Sequence, residues 1–453
     1  SSTTVLDTNM GLATKVVFST YRFKDILYLG TNNGIFYLDE EGKELVLVKG
    51  TLGQVANFLE VDGRLYSGTG SVGLIEIDGT KVTTVRNNEN YDFRVIRLEM
   101  SSLDPKRMFA LTLSGLSSLY FNESTGRFEE ESFTEEHRTR NIIEREDGGL
   151  WYFSQNDGEI NLLKPEMTNG RMDLSKSETI VYDSISGLPD KDFGMFEILG
   201  EPVIFHGDSE STYGYDPVKD RFEKKKFFFD ELIKWDGGGR AFTPYKDHLD
   251  RIWFGIGDEV VVATKNNDGS YNLNTQTFKE LRNRQISSVY VDPSSTETNS
   301  IAWFSGPDGV VRYEGNLEKN FRGKLNVAIR NMRISGDSLV YAGGVAFPDK
   351  MNISHDYNSI SLGYAAPFFM GQKDMQYRTY LEGLDKDWSE WTKLATREYI
   401  NLPAGKYSFK VKAKNIFGDE SEEAMVNFTI TPPWYKTWWA YVLYFIGSLA
   451  LVY

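Results

Sequence analysis

The sequence predicts an all-β protein: a seven-bladed β-propeller over residues 1–320, an immunoglobulin- or fibronectin-like β-sandwich over 321–431, and the start of a transmembrane helix at 437–453. Three observations predict it. Aromatic side chains make up 14% of the chain and glycine occurs 41 times, whereas long helical stretches of Ala, Leu, Glu and Lys are missing. One strand–turn–strand signature returns seven times before residue 320. The last stretch, from Trp438 to Tyr453, is apolar apart from Ser448.

The returning signature is an apolar or aromatic pair, a glycine or serine, a small polar turn and a second β-forming run. Residues 26–39 (ILYLGTNNGIFYLD), 64–78 (RLYSGTGSVGLIEID) and 149–164 (GLWYFSQNDGEINLLK) show it, and 107–122, 201–217, 251–264 and 300–315 repeat it. Its markers are Tyr28, Tyr66, Phe109, Trp151, Ile204, Trp253 and Trp303. They are spaced by roughly 40–50 residues, the length that the four short strands of one propeller blade require. A single blade exposes apolar side chains on both faces, so only a closed ring buries them all. Closure needs a further strand, and residues 3–6 (TTVL) form a lone β-run suited to the outer edge of the seventh blade. A Gly-Leu turn, at 10–18 (MGLATKVVF) and again at 186–196 (SGLPDKDFGMF), leads into the inner strand of two blades.

Beyond residue 320 the period breaks. Residues 326–431 alternate between strand-like runs and turn signals over the length of one sandwich. The stretch LPAG at 402–405 is a corner ahead of the strand KYSFKVKA. Pro432 and Pro433 then end the sandwich, and Trp434, Trp438 and Trp439 take the place of an interfacial aromatic belt. The apolar run that follows starts a crossing that needs ~20 residues. No signal peptide opens the sequence, so with a span at the other end a leader is expected to have been removed or left off.

These motifs carry a resemblance. ILYLGTNNGI and GLWYFSQNDG are similar to the two-component regulator propeller repeat. YLEGLDKDW (380–388), YINLPAGKYSFKVKAKN (399–415) and PPWYKTWW (432–439) look like the triple-tyrosine domain, with Tyr380, Tyr399 and Tyr407 as its tyrosines. Together they resemble the extracytoplasmic sensor half of hybrid two-component sensors, which in gut bacteria detect products of polysaccharide breakdown. The resemblance implies a periplasmic region of an inner-membrane protein, an oligosaccharide ligand and a homodimer. It also implies a signal passed through the sandwich to the span, with the kinase or DNA-binding output beyond this sequence. The three tyrosines are expected as core and corner residues that keep the relaying sandwich stiff.

Composition removes several function classes. A formal charge of −15 argues against a general nucleic-acid binder. With no cysteine there are no disulfides, thiolate metal sites, iron–sulfur clusters or cysteine nucleophiles. The histidines, His137, His206, His248 and His355, form no pair at metal-binding spacing, and no phosphate loop, dinucleotide fingerprint or serine elbow is present. DGGLW at 147–151 brushes against the Asp-box of sialidase propellers but is a residue short and matches the regulator repeat better. No cofactor, metal or catalytic residue is therefore assigned, although a glycosidase-like carboxylate pair stays open among 65 Asp and Glu residues.

Binding leaves a trace in the loops. In a propeller, the loops leading into the inner strands share a face with those joining second and third strands. Here the former read NENYDFRV (88–95), EHRTRN (136–141), LPDKDF (188–193), KWDGGGRAF (234–242) and LRNRQ (281–285). They gather Arg94, Arg138, Arg140, Lys191, Arg240, Arg282 and Arg284 on one rim of an acidic chain, with Tyr91, Trp235 and Tyr245 close in sequence. Aromatic rings stack on the apolar faces of sugars, and arginine forks suit carboxylate or sulfate groups. The plain alternative pairs these cations with acids such as Asp92, Glu136 and Asp236. The expected ligand is an oligosaccharide, acidic in character; the alternatives are a membrane-tethered glycosidase or lyase and a non-catalytic scaffold or adhesion module.

Overall fold

The computed structural model describes residues 2–453 except 40, 90–92, 136–138, 140, 155–158, 190–192, 207–210, 230–243, 257–258, 282–283, 318–324, 335–337, 343–350 and 368–373. The chain divides into two compact units, Ser1–Lys319 and Asn320–Tyr453.

In the first unit, seven four-stranded antiparallel sheets follow one another. Six span residues 17–47, 55–87, 95–134, 142–182, 193–224 and 245–274, and the seventh takes three strands from 288–315. The fourth strand of that last sheet is Ser2–Leu6, paired with Gly309–Gly315 from Ser2↔Glu314 to Leu6↔Val310. The lone N-terminal β-run of the sequence is this edge strand. All seven markers lie on the second strand of their sheets, from Tyr28 on Ile26–Thr31 to Trp303 on Ser300–Gly306.

Second strands are buried on both faces because alternate residues enter different cores. Tyr28 packs with Phe58 and Ile75 of the second sheet, whereas Leu27 and Leu29 pack with Tyr290 and Trp303 of the seventh. Seven such clusters link the sheets pair by pair in chain order, and the last joins the seventh sheet to the first. Trp151, Trp253, Tyr28, Tyr66 and Phe109 are at most 1% exposed; fully burying a phenylalanine-sized side chain is worth about 3 kcal/mol in transfer free energy.

The two Gly-Leu turns are structurally equivalent. Gly11 and Gly187 have φ of 93° and 91°, a region that glycine occupies without strain. A Cβ on Gly187 would stand 2.0 Å from the Phe222 carbonyl oxygen, and one on Gly11 3.0 Å from that of Leu45. Both carbonyls belong to the fourth strand of the sheet that the turn leads into. The leucines that follow, Leu12 and Leu188, are buried.

The Asp-box-like stretch is also structural. Asp147 accepts from the Gly149 amide at 3.1 Å and pairs with Arg145 at 3.1 Å. At the same place in the sixth sheet the buried Asp247 accepts from the amides of Leu249 and Arg251, both at 2.9 Å, and from Trp253 Nε1 at 2.8 Å. Each carboxylate locks the hairpin between first and second strands.

The second unit has two four-stranded sheets. One is ordered Ser338–Ala342, Ala328–Ile334, Ile360–Ala365, Thr396–Tyr399. The other is ordered Met351–Ile353, Ala424–Ile430, Gly405–Lys414, Gln376–Glu382, with its first pair parallel. A single hydrophobic cluster draws on both. Tyr399 and Tyr407 lie in it, but Tyr380 does not. On Gln376–Glu382 the residues alternate, so Tyr377, Thr379 and Leu381 face the core while Arg378 and Tyr380 face out. The expectation of Tyr380 as a core or corner residue is thus corrected: Tyr377 holds the core position, and its hydroxyl accepts from the Ala366 amide at 3.2 Å. Tyr380 instead packs beside Trp388 and under Lys410.

The chain ends in a helix, α1 (Trp438–Val452, 15 residues). Among the described residues no helix is long and apolar enough to cross a membrane.

Candidate functional site

The first strands of the first three sheets, Val17–Phe23, Val55–Val61 and Val95–Met100, share an irregularity. Each breaks register with its neighbour near its start, between Val17 and Ser19, Val55 and Phe58, and Val95 and Arg97. An extra residue in an antiparallel strand is left unpaired and re-aims the side chains around it. Here the displaced residues include Phe18 and Ile96, and both line a cavity of about 380 Å³. Gln54, Gly70, Arg94, Val95, Arg97 and Leu113 complete its wall.

Gln54 and Arg94 stand immediately before first strands, and Gly70 and Leu113 immediately after second strands. Those are the two kinds of loop expected to share a face, and here they meet round one cavity. Backbone bonds hold them together: the Gly70 amide donates to Gln54 O at 2.7 Å and the Leu113 amide to Arg94 O at 3.0 Å. Asn88 fixes the approach to Arg94. Its Nδ2 donates to Gly70 O at 2.9 Å while its Oδ1 accepts from the Phe93 amide at 2.7 Å. Phe93 is fully buried, so the loop is pinned one residue before the half-buried Arg94. Gly70 lies beside the Arg94 guanidinium, a Cβ built on it standing 3.7 Å from Arg94 Nε, in ordinary van der Waals contact.

Arg97, on the strand that follows, pairs with Glu99. Burial raises the Glu99 carboxyl above the ordinary range; Arg97 opposes the shift, and Glu197 on the first strand of the fifth sheet adds to it. The cavity thus offers one aromatic ring (Phe18), an amide that donates and accepts (Gln54) and two guanidinium groups. Its volume lies within the range of small-molecule sites, and its donors suit an anionic or polyhydroxylated ligand.

Of the other sequence-predicted residues, two are described. Arg284 is half-buried, its amide donating to Leu281 O at 2.9 Å. Tyr245 packs against the core between the sixth and seventh sheets, and burial pushes its hydroxyl up to about 12. Neither lines the cavity. Arg138, Arg140, Lys191, Trp235, Arg240 and Arg282 lie outside the described residues. Sequence reasoning missed Phe18, Gln54 and Arg97. Setting Val55 beside Val95 as equivalent strand starts would have placed Gln54 opposite Arg94; Phe18 and Arg97 depend on the bulges, which no residue type announces.

A second depression, of about 620 Å³, lies on the second unit, lined by Arg330, Asn331, Tyr341, Gly363 and Thr396 among others. Its lining comes from one sheet and the chain directly before its strand Thr396–Tyr399, so it is a surface groove rather than a site enclosed by several elements. Among the described residues no group of three or more His, Asp or Glu is arranged to hold a metal.

The family model described as the Y_Y_Y domain matches residues 369–431, which bears out the triple-tyrosine resemblance over that stretch. Histidine kinase P4 of Formosa agariphila is 29% identical over 185 residues, 38% of this chain and 13% of the kinase. Two crystal structures described as extracellular domains of hybrid two-component systems of B. thetaiotaomicron also match. One is 15% identical with a TM-score of 0.49, over 96% of this chain and 60% of that one. The other is 17% identical with a TM-score of 0.49, over 92% of this chain and 68% of that one. The chain therefore carries a stretch that matches the Y_Y_Y domain and is similar over part of its length to a histidine kinase, of which it spans a small part.

Proposed function

We propose that this chain is the ligand-sensing, periplasmic region of a membrane-anchored two-component receptor. In this reading the seven sheets, linked in a cycle by seven cores, are the blades of a β-propeller. The two sheets of the second unit form an immunoglobulin-like sandwich, and α1 begins the span through the inner membrane. The propeller takes an oligosaccharide from polysaccharide breakdown at the face where Arg94 lies, and the sandwich passes the change on. A ligand shifts such an equilibrium only by its differential affinity for two states; here the states are two arrangements of a homodimer.

The observation that carries this reading is the cavity at three successive bulged strands, in a chain whose residues 369–431 match the Y_Y_Y domain. Incubating the purified chain with a panel of neutral, uronate-containing and sulfated oligosaccharides tests it. A rise in melting temperature without turnover is the expected result. Release of shorter products would replace the receptor with a tethered enzyme, and no shift with any saccharide would sink the ligand reading.

A further inference from the structure

The end of the second unit from which α1 leaves is built from the turns of both sheets. Ile430 closes its strand between Ile353 and Gly405, and the Thr431 amide donates to Ile353 O at 2.9 Å. The turn after Ile353 carries Tyr357. The loop after Tyr399 carries Ile400 and is tied back by reciprocal bonds of 3.0 and 3.2 Å between Asn358 and Leu402. The turn after Glu382 carries Leu384, and a Cβ on the adjacent Gly383 would stand 2.8 Å from Lys406 O. One rim therefore holds Tyr357, Leu384 and Ile400, exposed by 51%, 47% and 74%. Trp434, 64% exposed, stands on the segment that leads to α1 and is stacked on Trp439 with ring centroids 6.3 Å apart.

Scattered exposed apolar residues need no explanation, but several gathered at one end mark an interaction surface. What covers them is indicated by the helix that leaves there. Tyr441, Leu443, Phe445, Ile446, Leu449 and Leu451 of α1 are all exposed. A helix apolar all round is one suited to hydrocarbon. Charge agrees with this. On a chain of net −15, this end carries Lys386, Lys406 and Lys436 against Asp356, Asp385 and Asp387, so its charges balance. It is thus spared the repulsion from anionic headgroups that the rest of the surface feels.

We propose that this rim is a lipid-contacting surface, on which Tyr357, Leu384 and Ile400 seat the second unit in the interfacial layer of an anionic phospholipid bilayer. The inference rests on the reading of α1 as the start of a span. A seated rim would couple tilting of the unit directly to the helix, where a stand-off linker would absorb it.

The chain contains no cysteine, so single labels are clean. Tyr357→Cys, Leu384→Cys and Ile400→Cys, each carrying an environment-sensitive fluorophore, are compared in vesicles containing phosphatidylglycerol. Phe445→Cys reports on α1 and Val218→Cys, in the first unit, is the water-exposed control. Rim labels that shift to the blue and are quenched by interfacial spin-labelled lipid, while the Val218→Cys label is not, support the proposal. Quenching of the α1 label alone overturns the rim and leaves the span reading standing. Quenching of neither overturns both. Blue-shifted rim labels that resist lipid quenchers and respond to protein concentration would show a protein partner instead, and overturn the lipid assignment.

Discussion

Asn57 and Leu98 hold each other from both sides: the Asn57 carboxamide donates to Leu98 O at 2.8 Å and accepts from the Leu98 amide at 2.7 Å. Asn57 lies in the bulge of its strand, so its side chain is turned sideways onto the first strand of the next sheet. The clamp stands one residue from Arg97 and ties together two of the three strands that shape the cavity.

Replacing Asn57 with Ala strips two backbone groups of their partners at once. The first unit is expected to lose about 2–4 kcal/mol of stability, read as a lower urea midpoint. Saccharide affinity should fall with it because the strand bearing Arg97 is released. A variant with unchanged midpoint and unchanged affinity would remove the clamp from the account.

Arg94→Ala should act oppositely, sparing the fold and harming the ligand. Loss of a charge-assisted contact predicts roughly 10–100-fold weaker binding of an acidic oligosaccharide by calorimetry, with the melting temperature of the free protein unchanged. Arg94→Lys should recover part of the loss, since lysine keeps the charge but not the fork. Parental affinity in Arg94→Ala would place the binding site elsewhere.

In the second unit, Tyr407 donates to Pro403 O at 2.8 Å, stacks on Phe428 at 5.5 Å and lies against Gly383 and Gly405. This is the corner arrangement in which a hydroxyl ties a strand to the turn before it. Tyr407→Phe is expected to cost about 1 kcal/mol and Tyr407→Ala about 3–5 kcal/mol. Ligand affinity should not change in either. Calorimetric melting of the second unit, followed beside saccharide binding, checks both halves of the expectation; weakened binding with an intact melting transition would refute a purely structural role.

A pH dependence follows from Asp220, whose Oδ1 accepts from Tyr182 and Tyr215, each at 2.6 Å. The Tyr182 bond first, then that of Tyr215, holds this carboxyl below its ordinary range. A carboxyl with a lowered folded pKa contributes fully above its unfolded pKa of about 4 and loses that contribution as pH falls through the folded value. The double variant Tyr182→Phe/Tyr215→Phe should therefore melt below the parent at neutral pH, by a margin that narrows below about pH 4. A margin constant across that range would assign the effect to packing alone.

Much of the fold was legible because its signals are local. An aromatic marker followed by a glycine turn reports a buried second strand wherever it stands, and all seven markers occupy that position. The run at residues 3–6 and the turns at Gly11 and Gly187 were legible for the same reason: edge strands and left-handed glycines are set by their own few residues. Arg94 was found by its place before a first strand.

The tertiary structure alone decided which side chains meet. Tyr377 and Tyr380 lie three residues apart and so face opposite sides of one strand; pairing with Gly405–Lys414 settled which of them enters the core. Likewise the bulges at Phe18 and Ile96 turned two ordinary strand residues into the wall of a cavity beside Arg94 and Arg97. The sequence determined where strands begin and how often they return. A one-residue slip in register carries every side chain to the other face, and that choice is made between strands, by partners that the local sequence does not contain.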